Sequence, residues 1–350
     1  MIQQNKRVTL KNIADECGYS VNTVSRALRN DTRLPAETLA KIQNTASNLG
    51  YIRNNLASSL RSGRTYTIAV IADEILNPYY SSIISQLDLK LKESGYNLLT
   101  LCTQVLEEPG MEAENERMAQ EMINVAISHA VDGILCFPYA SDSHMADLVI
   151  QNHIPLVLIG RELSDLPTDV VRCDDYAGGY LAGKELFRLG HRKYLYIAGP
   201  VRNTSQCGRE KGFLDALTES GIPRENIRTV PFHDIRLSIK KNSIFDLLNP
   251  IDYTAVFSFN DHMAYPVISC LQSENFRIPE DISVIGFDHI RYDVPYALPL
   301  TSISHQAGYN IADSIVDLLL TRIEDPGLSP RAKILPVTIY DEGTVAAVHE

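Results

Sequence analysis

Residues 8–28 read VTLKNIADECGYSVNTVSRAL, two short helical segments broken at a glycine. Thr9 is placed to cap the first, in which Leu10, Ile13, Ala14 and Cys17 recur at helical spacing. Gly18 supplies the positive φ that turns the chain out of that helix. Ser20 then caps a second helix whose Val24, Ala27 and Leu28 point inward. Its other face carries Val21, Asn22, Ser25, Arg26 and Arg29. Short polar or apolar groups at the start of a helix, with a guanidinium one turn later, suit base edges in a major groove. The pattern is that of a helix-turn-helix. An ordinary helical hairpin with a solvated polar face would look the same, so charge has to separate the two.

Residues 1–64 hold ten Lys/Arg and four Asp/Glu, a net of +6, in a chain whose net charge is −11, so the remainder carries −17. Such asymmetry suits a small nucleic-acid-binding head on an acidic body that DNA would repel. Arg7, Lys11, Arg26, Arg29, Arg33, Arg53, Arg61 and Arg64 can meet phosphates, and binding is expected to weaken steeply with salt.

At 350 residues the chain exceeds one ordinary core, so two or three domains are expected. A 45% apolar and 21% charged composition fits a folded globular protein. No apolar run reaches membrane-spanning length, and MIQQNKRVTLKN has no secretion-signal core. Six cysteines without CxxC spacing read as reduced thiols, which together with the missing signal implies a cytoplasmic protein. Nine dispersed histidines form no metal-ligand pattern, and no cofactor is expected. Gly178–Lys184 fits G-x-x-x-x-G-K, but Glu185 stands where Ser/Thr would hold magnesium. The surrounding GGYLAGKELFRLGH reads better as a helix packed through small residues. His233-Asp234 reads as a loop pair, so an enzyme is not expected.

A third helix is expected from about Ala36 to Leu49, closing a compact head by about residue 52. NNLASSLRSGRT follows as a linker, although Leu56, Ala57 and Leu60 recur at helical spacing. Beyond Tyr66, apolar runs alternate with amphipathic stretches: TIAVIA (67–72), NLLTLCT (97–103), GILCF (133–137), PLVLIG (155–160), YLYIA (194–198), AVFSF (255–259) and SVIGFD (283–288). Near-continuous apolar runs between helices signal parallel strands covered on both faces. The expected fold is therefore a small all-α head and hinge, then an α/β body of two doubly wound parallel-sheet subdomains with a cleft between them.

Five ordered motifs carry a resemblance over nearly the whole chain: SVNTVSRAL (20–28), GYIRNNLASSLRSGRT (50–65), TIAVIADEILNPYY (67–80), FNDHMAYPVI (259–268) and ISVIGFD (282–288). Together they resemble the LacI/GalR family of bacterial transcriptional regulators, whose body is similar to periplasmic sugar-binding proteins. The resemblance implies a head at 1–53, a hinge at 54–65 and a body at 66–350. Within the body it implies one subdomain of about 66–164 and 303–326 and another of about 165–302 and 327–345. It implies that Val21 and Asn22 meet base edges and that Arg26 contacts guanine bidentately, while Thr9, Ser20, Thr23, Ser25 and Asn54 mainly position the DNA backbone. Leu60, beside Ala57, would enter the minor groove at a central CG step of a pseudo-palindromic operator, as an apolar wedge. Arg53 departs from the proline usual before Asn54, which frees the backbone and adds a charge.

For the body, the resemblance implies an effector site of Asn77, Tyr79, Tyr80, Arg161, Arg209, Asn260, Asp288 and His305. The chain has no tryptophan, so an aromatic platform is expected from Tyr or Phe, with Phe232 and Phe287 as candidates. Asp261 is expected to cap the helix after it. Seven residues follow the final strand, ILPVTIYDEG (334–343), so a tetramer-forming tail is not expected and a homodimer is. The expected function is a ligand-responsive repressor of a carbohydrate-utilisation operon with a sugar or sugar-phosphate effector. Alternatives on the same fold are a purine or other metabolite, or a phosphoprotein corepressor on the outer face. A carbohydrate-binding protein without a regulatory role fits less well, given the basic head.

Overall fold

Thr9 opens α1 (Leu10–Cys17) with a reciprocal cap: its Oγ1 accepts the Asn12 N–H at 3.4 Å, and its own N–H donates to Asn12 Oδ1 at 2.9 Å. Gly18, at φ 77°, ends the helix by donating to the Ala14 carbonyl. Ser20 accepts the Thr23 N–H at 3.1 Å and starts α2 (Val21–Ala27). With α3 (Ala36–Asn48), these helices enclose Ile13, Ala14, Cys17, Val24, Ala27, Ile42 and Ala46. The computed structural model describes residues 8–51, 63–73, 75, 77–103, 111–138, 148–163, 168–200, 203–231, 244–290 and 299–348. The chain divides into two compact units, Met1–Thr65 and Tyr66–Glu350.

Two six-stranded sheets build the second unit. The first has the order β11-β5-β4-β3-β1-β2, from β1 (Thr67–Ala72), β2 (Asn97–Cys102), β3 (Gly133–Cys136), β4 (Leu156–Ile159), β5 (Asp169–Cys173) and β11 (Ala332–Leu335), all parallel. In β1, Ile68, Val70 and Ala72 face a core shared with α4 (Pro78–Glu93) and α10 (Ile311–Glu324). Ala69 and Ile71 face the opposite core, under α5 (Glu112–Ser128). Burial on both sides is why the strand reads as an unbroken apolar run.

The second sheet has the order β12-β10-β9-β8-β6-β7, from β6 (Tyr194–Ala198), β7 (Ile227–Pro231), β8 (Ala255–Ser258), β9 (Ser283–Phe287), β10 (Ser302–His305) and β12 (Val337–Tyr340). Its edge strand β12 runs antiparallel to β10. One face is covered by α6 (Asp175–Arg188) and α7 (Thr204–Glu219), the other by α8 (Ile244–Leu248) and α9 (Asp261–Ser273). A Cβ on Gly179 would stand 2.0 Å from the Arg209 carbonyl oxygen, and one on Gly212 2.1 Å from that of Tyr176. Small residues therefore bring the α6 and α7 backbones together. Gly178–Lys184 lies inside α6, so it is a packing stripe and not a phosphate loop.

Two expectations need correction. The chain leaves the first sheet after Cys173 rather than near residue 164, because β5 pairs with β4 and β11. β10 belongs to the second sheet and β11 to the first, the reverse of the expected divisions at 303 and 327. ILPVTIYDEG is also not one strand. Pro336, which has no N–H to extend a ladder, separates β11 from β12, and the two halves join different sheets.

Candidate functional site

The head presents one helix face. Val21, an apolar residue 45% exposed at the start of α2, is flanked by exposed Asn22. Thr9, Ser20 and Arg29 are exposed; Thr23, Ser25 and Arg26 are half-buried. Ser20 and Thr23 bond each other through their hydroxyls at 2.8 Å, and Arg29 Nε donates to the Ser25 carbonyl at 3.1 Å. Arg26, the residue expected to contact guanine, already holds one partner within the head. Its Nε donates to Asp31 Oδ2 at 2.9 Å, which leaves the Nη end of the guanidinium as the part it can offer. Asn54, Ala57 and Leu60 lie outside the described residues, as do Arg7, Arg53, Arg61, Phe232 and the His233-Asp234 pair.

The body converges at the carboxyl ends of both sheets, where open parallel sheets bind ligands. From the first sheet, Asn77 is buried and caps α4 by accepting the Tyr79 N–H at 3.1 Å. This cap and Pro78 at the first helical position aim Tyr79 and Tyr80 together. Tyr80 lies edge-on to Phe137 at 4.8 Å, and the Tyr79 and Tyr80 ring centroids are 5.6 Å apart. Burial raises both phenol pKa values; Asp288 adds most to the rise at Tyr79, and Asp73 at Tyr80. Arg161, buried just after β4, works the other way on Tyr80.

From the second sheet, Arg209 is 7% exposed and largely committed. Its Nε donates to Asp175 Oδ1 at 2.8 Å and its Nη1 to the Phe259 carbonyl at 2.6 Å. Its Nη2 lies 3.7 Å from Asp288 Oδ1. The guanidinium rests on the Phe287 ring, 3.5 Å from its centroid. Burial works against the cation, but Asp175 and Asp288 outweigh it and raise its pKa. Burial pushes the Asp288 carboxyl up to about 7; Arg209 opposes the rise and Asp175 adds to it. Asp288 takes φ 104° and His289 φ 51°, a strained turn for two residues with side chains. Asp261 braces that turn, accepting the Ile290 N–H and the Ser302 hydroxyl, both at 2.7 Å. A Cβ at Gly286 would fall 2.0 Å from Asp261 Oδ1, so glycine there is what lets the brace sit under β9.

The expected cap at Asp261 is therefore wrong: Asn260 caps α9, its Oδ1 accepting the Met263 N–H at 2.9 Å. Asn260 follows β8 by two residues and is half-buried. His305 ends β10 half-buried, and burial and then His289 lower its pKa. Across the cleft, Ser205 Oγ donates to the Gly160 carbonyl at 3.0 Å.

Residues 9–54 match the model of the bacterial regulatory proteins of the lacI family, and residues 184–345 match a periplasmic binding protein-like domain. An HTH-type transcriptional regulator, DegA of Bacillus subtilis, is 31% identical over 304 residues, covering 85% of this chain and 86% of its own. An HTH-type transcriptional repressor, PurR of Pasteurella multocida, is 31% identical, covering 91% of this chain and 92% of its own. The chain belongs to the LacI family. The ribose operon repressor of Escherichia coli K12 is 28% identical, covering 96% of this chain and 99% of its own. The crystal structure of the Lac repressor dimer bound to operator and the anti-inducer ONPF shares the fold, with a TM-score of 0.76, 22% identity, and coverage of 98% of this chain and 100% of that one.

This LacI-family chain is thus a ligand-responsive, DNA-binding transcriptional regulator, and its relatives are regulators rather than enzymes. Among the described residues no helix is long and apolar enough to cross a membrane. Sequence reasoning missed Asp175, Phe259 and Phe137 at the site. In CDDYAGG two adjacent acids stand where a helix begins; Asp174 is the cap, accepting the Ala177 N–H, and Asp175 is the partner of Arg209. A surplus acid beside a capping acid was the available signal.

Proposed function

We propose that this regulator is a homodimeric repressor of a carbohydrate-utilisation operon, with a sugar as its effector. The observation that carries this reading is the union of Arg209, Asp175 and Asp288 with the Tyr79–Tyr80–Phe137 aromatic ledge. Paired hydroxyls suit a carboxylate and a guanidinium together, and the apolar face of a pyranose or furanose suits an aromatic edge. Arg161, Asn77, Asn260 and His305 complete the walls. In the head, Val21 and Asn22 meet base edges, Arg26 meets guanine, and Thr9, Ser20, Thr23, Ser25, Arg29 and Asn54 hold the phosphates. Ala57 and Leu60 enter the minor groove at a central CG step of a pseudo-palindromic operator.

A purine effector is the second reading, favoured by the likeness to PurR and by the same aromatic ledge. A thermal-melting screen against neutral sugars, sugar phosphates and purines separates the two. A ligand at about 100 times its Kd adds roughly 2.7 kcal/mol, a shift of several degrees. A shift with a neutral sugar supports the proposal. A shift with purines and none with sugars contradicts it.

A further inference from the structure

Behind α2, the Asp31 carboxylate collects four N–H donors. Arg26 Nε reaches Oδ2 at 2.9 Å, Arg33 Nε reaches Oδ1 at 2.9 Å, Arg33 Nη2 reaches Oδ2 at 2.7 Å, and the Arg33 backbone N–H reaches Oδ1 at 3.1 Å. The Asp31 N–H also donates to the Arg26 carbonyl at 3.2 Å, and its carbonyl accepts the Leu34 N–H at 3.0 Å. The Asp31 side chain is 15% exposed, against 33% for Arg26 and 80% for Arg33. The carboxylate is held from two sides, by Arg26 and by the Arg33 side chain and backbone.

A guanidinium is a rigid planar fork. A bond at Nε restricts how the fork can swing, and the edge between its two Nη groups is not the one that Asp31 holds. That end-on pair is a geometry in which arginine meets guanine O6 and N7. A long side chain loses rotamer freedom when it binds, and here that freedom is already reduced before DNA arrives.

We propose that Asp31 is a positioning residue for base recognition, holding Arg26 by its Nε so that both Nη groups face one guanine. The proposal rests on the base-reading role given to Arg26 above. It carries an opposed pair of consequences. A carboxylate near DNA repels phosphates, so Asp31 weakens binding to duplexes in general. Through Arg26 it strengthens binding to one base pair.

The test uses the full-length chain and duplexes that it selects from a randomised pool. Affinities are measured for the selected duplex and for versions with each G·C pair of a half-site replaced. Wild type is expected to discriminate at one such pair by roughly ten- to a hundred-fold. Asp31→Ala is expected to reduce that ratio to about three-fold or less while tightening binding to unrelated DNA. Asp31→Asn keeps an acceptor for Nε and should retain part of the ratio, and it decides the matter if the alanine variant fails to fold. Arg26→Ala should lose discrimination at the same pair. If Asp31→Ala and Asp31→Asn leave the ratio intact while Arg26→Ala removes it, positioning by Asp31 is overturned. Uniform weakening on every duplex overturns it too, as a purely structural effect. If Arg26→Ala leaves the ratio intact, the base-reading role fails and the proposal falls with it.

Discussion

At Asp288, burial and a neighbouring guanidinium pull the proton in opposite directions, and burial wins, leaving the carboxyl near 7. An acid whose pKa is higher folded than unfolded binds more protons in the native state between the two values, so stability falls as pH rises through that window. The window here runs from about 4, the ordinary carboxylate value, to about 7. Asparagine mimics the protonated acid without titrating. Denaturant unfolding of wild type and Asp288→Asn should therefore show the variant gaining on wild type between pH 5 and pH 8, by on the order of 2 kcal/mol. A difference that stays constant with pH would contradict this. Arg209→Ala would leave Asp175 and Asp288 buried without their cation and should cost about 3–5 kcal/mol. Arg209→Lys keeps the charge but cannot make the same fork of bonds, so it should recover only part of that loss. The same unfolding curves check both.

At the scale of elements, the chain's legibility follows burial. TIAVIA and YLYIA sit under helices on both faces and announce themselves as apolar runs. SISH does not, because β10 buries Ser302 and Ser304, and Ser302 is satisfied by Asp261 from 41 residues away. DVVRC begins with Asp169, which reads as a surface acid yet is fully buried. Arg322 grips it through Nε and Nη2, both at 3.0 Å, and the Arg331 N–H donates to it at 2.8 Å, tying β5 to α10 and the chain entering β11. Burial pushes against the charge, but these bonds hold the Asp169 carboxyl below its usual range. Asp169→Ala should lower stability by about 3–5 kcal/mol in thermal or denaturant melts. Gly179→Ala should likewise cost about 1–3 kcal/mol by wedging α6 from α7. The head was legible almost residue by residue, since capping, turn and core all lie between Thr9 and Ala46. The effector site was legible in part, because its residues are spread from Asn77 to His305 and only the fold brings them together.

For the whole molecule, charge and coupling carry the function. The basic first 64 residues and the acidic remainder make operator binding depend steeply on salt, with about one counterion released per phosphate contact. A log–log plot of affinity against salt should be linear with a slope of several units, whereas a flat plot would contradict phosphate contact by the head. Coupling makes a sharper demand, because a ligand shifts operator affinity only by its differential affinity for the two states of the protein, and the operator must shift ligand affinity by the same factor. The deciding measurement is operator affinity of the full-length chain, by fluorescence anisotropy, with and without the ligand that raises its melting temperature. A change in Kd of about 5- to 150-fold, matched by an equal change in ligand Kd when operator is bound, is the expected result. Equal operator affinities at saturating ligand would contradict a ligand-operated regulator.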